Sequence, residues 1–169
     1  MRVAWKTIAV LTDFPADRLW HAGLDDTGRL CVVASTDEDL YVFDVHTKAL
    51  VAAFDDRLED DDPLLDVRPL AEMLEGDRLP LRIGEHEVRF RIFGLDYGDG
   101  LTQVDGWTVA ADPKAAEVVF ASAAGEQRLP YDDFSGDFAY VSFAASGRVA
   151  AVIEPYEVRI FELQEPAAG

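Results

Sequence analysis

The sequence predicts a mainly β protein: antiparallel meanders forming an open, propeller-like or sandwich-like pair of sheets, with one short helix near 69–75. Three observations carry this. Residues 18–54 break into short apolar runs separated by polar turns at intervals of about 8–12 residues, the pattern of an antiparallel meander. Val88, Phe90 and Ile92 alternate with Arg89, Arg91 and Phe93, the period of two expected of a half-buried strand. A helical pattern with start and stop signals occurs only once. At 169 residues the chain is long enough to bury a substantial core. It is read as a single domain: a first β unit at 1–54, an acidic loop plus short helix inserted at 55–80, and a second β unit at 81–169.

Residues 3–11 are mostly apolar, bounded by Thr12, Asp13 and Pro15, and read as the first strand. Apolar runs follow at 19–24, 30–34, 40–45 and 49–54. The turns between them are DDTGR, STDED and HTK. Gly28 supplies the positive φ of a tight hairpin, and Asp25 and Asp26 can bond their own backbone ahead of it. Beyond Phe54 the composition shifts to DDRLEDDDP, a run of like charges that cannot pack and reads as an exposed loop. Pro69 then suits a first helical turn, Leu70, Met73 and Leu74 fall on one face, and Gly76 stops a helix of about two turns over 69–75. Strand character returns at Leu81. Residues 94–106 are rich in turn residues and leave room for one short strand at most. Trp107 opens a strand that ends at Asp112 and Pro113, and 117–122 with 128–131 read as a hairpin.

The last segment echoes the first. DFSGDFAYVSFAASGRVAAVIEPYEVRIFEL, from Asp133, aligns with DFPADRLWHAGLDDTGRLCVVASTDEDLYVFDV, from Asp13, with one residue gapped on each side of Gly-Arg. Both open on Asp-Phe, and both carry Gly-Arg at nearly the same interval, at Gly28 and at Gly147. Both close on a hydrophobe-Phe-acid-hydrophobe tetrad, ending at Val45 and at Leu163. Such self-similarity suggests two copies of one supersecondary unit. Two copies cannot close a propeller ring, which needs about four blades or more. Exposed sheet edges would then need covering, by the helix or by a partner.

The order of residues 18–54 resembles one blade of a WD40-type β-propeller, and 133–163 does so more faintly. In that family a strand of small residues ends in Ser or Thr, an Asp lies in the next turn, and an aromatic-Asp pair closes the third strand. Ala34 and Ser35, Asp37, and Phe43 with Asp44 stand in those places, with Phe43 where the family prefers Trp. The resemblance covers under a quarter of the chain and implies a scaffold or adaptor role in a larger complex. A plain four-stranded meander accounts for the same residues.

Charge is the outlier. The chain carries 33 acidic and 15 basic residues, a formal net charge of −18 and a pI near 4.3. Such a field repels nucleic acid and anionic lipid, which argues against direct binding to either. It attracts cationic partners and speeds encounter with them. A salt-rich cytoplasm would favour the same composition without any partner. No run approaches the ~18 apolar residues of a membrane span, and MRVAWKTIAVLTDF breaks off at Asp13 without a small-residue cleavage site, so a cytoplasmic location is expected. Cys31 is the single cysteine; flanked by Leu30, Val32 and Val33, it is expected at a buried strand position.

Signatures of chemistry are scarce. His21, His46 and His86 are scattered, without the spacing of a zinc site, and no nucleophile elbow, phosphate loop or dinucleotide fingerprint is present. His21, beside Trp20, reads as a core or rim histidine. Asp96, Asp99 and Asp105 miss the spacing of a calcium loop and read as turn residues. Asp132 and Asp133 are adjacent, so in an extended segment they would point to opposite faces. No catalytic residue, metal ligand or cofactor is assigned.

These readings converge on a non-enzymatic acidic binding protein with a basic protein partner. Its most concrete form is an immunity or antitoxin-type inhibitor, as in bacteria, that neutralises a toxin enzyme by filling its basic cleft with carboxylates. The contact residues expected are Asp55, Asp56, Glu59, Asp60, Asp61 and Asp62, with Trp20 or Tyr97 as an aromatic anchor. The alternative is a WD40-like scaffold whose unpaired sheet edges carry the contact. A third reading is an enzyme whose site, around His21 or His86 and two carboxylates, is assembled only in three dimensions. The first reading expects the surplus carboxylates on a single surface.

Overall fold

The computed structural model describes residues 4–12, 19–35, 39–54, 70–131 and 138–164. The N-terminal apolar runs become strands within about a residue of their expected bounds: β1 (Ala4–Leu11), β2 (Leu19–Asp25), β3 (Leu30–Ser35), β4 (Leu40–Asp44) and β5 (Leu50–Phe54). The four-stranded meander β2 to β5 is what a WD40-type blade and a plain meander both predict. The helix α1 (Leu70–Met73) is a single turn, shorter than the two expected. Its continuation is diverted because Glu75 exchanges backbone hydrogen bonds with Arg78 (2.8 and 3.1 Å) around Gly76, whose φ is +67°. The chain is thereby handed into β6 (Arg78–Ile83), which a two-residue turn at Gly84 and Glu85 joins to β7 (His86–Gly94). The turn-rich stretch holds one two-residue strand, β8 (Gln103–Val104). It is followed by β9 (Trp107–Asp112), β10 (Glu117–Ser122), β11 (Gly125–Pro130), β12 (Tyr140–Phe143), β13 (Val149–Glu154) and β14 (Glu157–Gln164).

The fold is mainly β and antiparallel, as expected, but the described strands form three sheets rather than a pair. One has six strands in the order β5-β4-β3-β2-β7-β6. The others have four strands each, β1-β14-β13-β12 and β11-β10-β9-β8. Strand pairing runs across the expected units at 1–54 and 81–169. Strand β1 leaves its sequence neighbours to pair with β14, and the β6–β7 hairpin joins the first sheet through β2.

Three apolar layers hold the sheets together. The sheet containing β13 lies in the middle, so its core strand is buried on both sides, and VAAVI reads as an unbroken apolar run ahead of Glu154. Val149, Ala151 and Ile153 face the six-stranded sheet, packing with Cys31, Val33, Tyr41 and Phe43. Ala150 and Val152 face the other way, toward Val118 and Phe120. The remaining face of the six-stranded sheet, with Val32, Val42, Leu79 and Phe90, is covered by Leu70 of α1, with Met73 and Leu74 alongside. Strand β1 serves two layers because it is bulged between Thr7 and Ala9. Trp5 lies in one layer, whereas Ala9 and Leu11, of the same odd parity, lie in the other. Cys31 is fully buried, and burial pushes its thiol pKa up to about 12, so it is no nucleophile near neutral pH.

The internal echo has a matching hydrogen-bond pattern. In the first turn the Gly28 N–H donates to the Asp25 carbonyl (3.1 Å) and the Arg29 N–H to Thr27 Oγ1 (3.2 Å). In the second, the Gly147 N–H donates to the Ala144 carbonyl (3.0 Å) and the Arg148 N–H to Ser146 Oγ (3.3 Å). The tetrads keep the register as well, since Val45 N–H donates to Arg29 O (3.0 Å) and Leu163 N–H to Arg148 O (2.9 Å). The two turns also touch each other: Ser146 donates its N–H to Asp26 O (2.8 Å) and its hydroxyl to Thr27 O (3.3 Å).

Candidate protein-interaction site

The site is built where β7 leaves its sheet. Gly94 takes a φ of +129°, and a Cβ there would lie 2.4 Å from the Trp20 carbonyl oxygen, so only glycine lets the two backbones approach. Leu95 then donates its N–H to that same oxygen (2.9 Å). Gly94 and Gly98 exchange backbone bonds (2.9 and 2.7 Å), and Asp96 completes the turn with φ +73°. This closed loop holds Tyr97 outward, 38% exposed. Beyond it the chain runs along β12: Asp99 Oδ1 accepts the Val141 N–H (3.0 Å), and the Gly100 N–H donates to Val141 O (2.9 Å).

A cleft of about 140 Å³ opens beside the loop, lined by Leu74, Asp77, Arg91, Ile92, Tyr97, Asp99 and Gly100. Leu74 and Ile92 give it an apolar floor. The Arg91 guanidinium is paired with Asp77, which also lies 3.7 Å from Arg78, while Arg78 reaches Asp26 at 2.7 Å. Two carboxylates and one internally neutralised guanidinium leave the lining anionic beside an exposed aromatic ring. Such a lining suits a cationic side chain, which can lie on the ring face and meet the carboxylates.

His21 packs behind Tyr97 at a ring separation of 4.9 Å, with Trp20 at 6.3 Å on another side. The structure therefore brings the two expected anchors, Trp20 and Tyr97, to one histidine, with Tyr97 the exposed member and Trp20 half-buried. His21 is buried, as the core or rim reading expects, and its Nε2 has no hydrogen-bond partner among the described residues. Burial lowers its pKa, opposed by a hydrogen bond to the Leu95 backbone and by the charge of Asp96. The neutral form is thus favoured in the folded state, and below the ordinary pKa of about 6.5 the unfolded chain binds the extra proton. Stability to urea is expected to fall as pH drops through that value, and the same titration of His21→Phe should lose this part of the slope. Parallel pH profiles for the two proteins would rule out His21 as the source.

The six acidic contact residues Asp55, Asp56, Glu59, Asp60, Asp61 and Asp62 lie outside the described residues. The described carboxylates occupy all three sheets, with Asp44, Asp112 and Glu126, and Glu162 as examples, and are not confined to one sheet as a single anionic surface would ask. Arginines hold many of them. Arg29 lies 3.5 Å from Asp44, Arg89 pairs with Glu75 and Glu87, and Arg128 reaches Asp112, Glu117 and Glu126. The Arg128 guanidinium holds the Asp112 carboxyl below its ordinary pKa. Asp105 and Asp96 serve as left-handed turn residues, in keeping with the turn reading of that stretch. Among the described residues, no three His, Cys, Asp or Glu side chains gather in a metal-binding group.

Sequence reasoning passed over Asp77, read Arg91 only as a strand residue and read Asp99 only as a turn residue. Their meeting depends on the β6–β7 hairpin, which sets Asp77 beside Arg91, and on the course of the chain beyond β7 along β12, whereas GLDYGDG signalled only a turn. It also passed over Glu154 and Glu157, opposite each other at the base of the β13–β14 hairpin and almost fully buried. Glu154 accepts the Tyr156 N–H (3.0 Å) and Glu157 pairs with Arg159 (3.3 Å), so these two carboxylates belong to the framework. No protein-family model matches the chain, and a comparison with curated proteins finds no significant relative.

Proposed function

We propose that this chain is a non-enzymatic acidic binding protein that docks onto a basic protein, in its most concrete form an immunity or antitoxin-type inhibitor occupying the cationic cleft of a toxin enzyme. One observation carries the reading. Arg29, Arg78, Arg89, Arg91, Arg128 and Arg159 are all engaged by carboxylates of the same chain, so the net charge of −18 is expressed as surplus anionic groups. An anionic field of this size accelerates capture of a cationic surface and is screened by salt. The Tyr97 cleft supplies what a field lacks, an aromatic anchor beside carboxylates at a fixed place.

The test is an affinity measurement on the partner recovered from native lysate and identified by mass spectrometry. Neutralising Asp55, Asp56, Glu59, Asp60, Asp61 and Asp62 to their amides is expected to weaken binding at least about tenfold, as is raising salt from about 50 to about 500 mM. Tyr97→Ala should cost at least about tenfold on its own. A partner of acidic pI, or one held equally by wild type and the neutralised variant, overturns the reading.

A further inference from the structure

A sheet edge offers a row of unpaired backbone donors and acceptors to any extended chain that meets it, and folded proteins guard their edges. Five of the six edges described here are guarded. Strand β6 carries Pro80 and the exposed Arg82 and lies next to α1. Strand β11 carries Glu126, Arg128 and Pro130. Strand β1 is bulged, bears the exposed Lys6, and is clamped by Gln127, whose amide accepts the Trp5 N–H and donates to the Trp5 carbonyl (both 2.8 Å). Strand β12 is bonded along its outer side by Asp99, Gly100 and Leu101. Strand β8 is two residues long.

Strand β5 differs. Its sequence, LVAAF, contains no charge and no proline, and among the described residues it pairs only with β4. Leu50 and Val51 are 54% and 45% exposed, two of the four large hydrophobic side chains in that state among the described residues. A bulge at Val51 is its one irregularity, and Ala52, Ala53 and Phe54 stay in register with Val42, Tyr41 and Leu40.

We infer that the outer edge of β5 is a docking site for an extended segment of a partner protein, which adds to the six-stranded sheet as a seventh strand. Net charge selects the occupant. A second copy of this chain also carries −18 and is repelled, whereas a strand with basic residues at one end is attracted. The basic character of the occupant rests on the function proposed above; the open edge does not.

The experiment uses the full chain and a synthetic peptide that alternates valine and threonine and ends in two arginines. Hydrogen exchange is followed residue by residue. Saturating peptide is expected to slow exchange of amides in Leu50–Phe54 at least about tenfold, and Val51→Lys to weaken peptide binding by a similar factor. Absence of binding, protection confined to other strands, or full binding by Val51→Lys overturns the proposal. So does protection of β5 that rises with protein concentration in the absence of peptide, which assigns the edge to a second copy. If a peptide with serines in place of the arginines protects β5 equally well, the edge is upheld and the basic-partner reading falls.

Discussion

Replacing Trp5 with alanine is expected to lower stability by about 3–5 kcal/mol, the range for deleting a large aromatic side chain from a packed core. Trp5 is 2% exposed, stacks on Phe120 at 4.4 Å and meets the edge of Trp107 at 5.8 Å. Its layer joins the sheet containing β1 to the sheet of β9 to β11. Trp5→Phe should retain most of the stability, because it keeps an aromatic stack and removes an indole N–H that has no hydrogen-bond partner among the described residues. Urea denaturation followed by circular dichroism measures both variants. In Trp5→Ala, amide exchange should rise first in β1 and β14, since β1 is an edge strand held by that contact. A loss below about 1 kcal/mol, no larger than an ordinary substitution, would show that β1 is not seated as described.

Gly28→Ala is expected to cost about 2–5 kcal/mol, combining a left-handed backbone with an overpacked contact. The φ of Gly28 is +78°, and an added Cβ would lie 2.5 Å from Val149 Cβ, a branched and buried neighbour with no room to move. The equivalent glycine of the second turn makes an internal control. Gly147 has a nearly equal φ of +75°, but its added Cβ would meet the end of the Asp105 side chain at 2.9 Å, which can swing aside. Gly147→Ala should therefore cost only the backbone term, about 1–2 kcal/mol. Equal losses for the two variants would remove the contact between the turn of the first sheet and β13 from the account. The comparison also probes the internal echo, because it asks two similar turns to differ only through what each packs against.

How far the fold was legible can be judged from particular elements. Strands β2 to β5 were readable because each has its own apolar run and its own turn residues, and Gly28 indeed adopts the positive φ that its turn needs. The helix was located correctly and its face of Leu70, Met73 and Leu74 does pack on the core, but its length was not readable. Helical propensity in the second turn is overridden by the β-bridge between Glu75 and Arg78, a contact with the strand that follows. The site was less legible. Tyr97 and Trp20 were named as separate anchors, and nothing local announces that both lie against His21. Asp77 and Asp99 come from different turns, and only the course of β7 and of the segment beside β12 places them on one cleft.

By itself, then, the sequence determined the β class, the positions of most strands and turns, the burial of Cys31 and the strongly acidic character of the molecule. These follow from local alternation, turn chemistry and composition, which act within a few residues or on the whole chain at once. The tertiary structure alone decided that β1 closes onto β14, that β7 extends the first sheet, and that β5 ends that sheet, pairing among the described residues with β4 only. Strand partnership between distant segments is set by long-range hydrogen bonding and by which faces find a core. A bulge such as that between Thr7 and Ala9 reverses those faces without leaving a mark in the pattern.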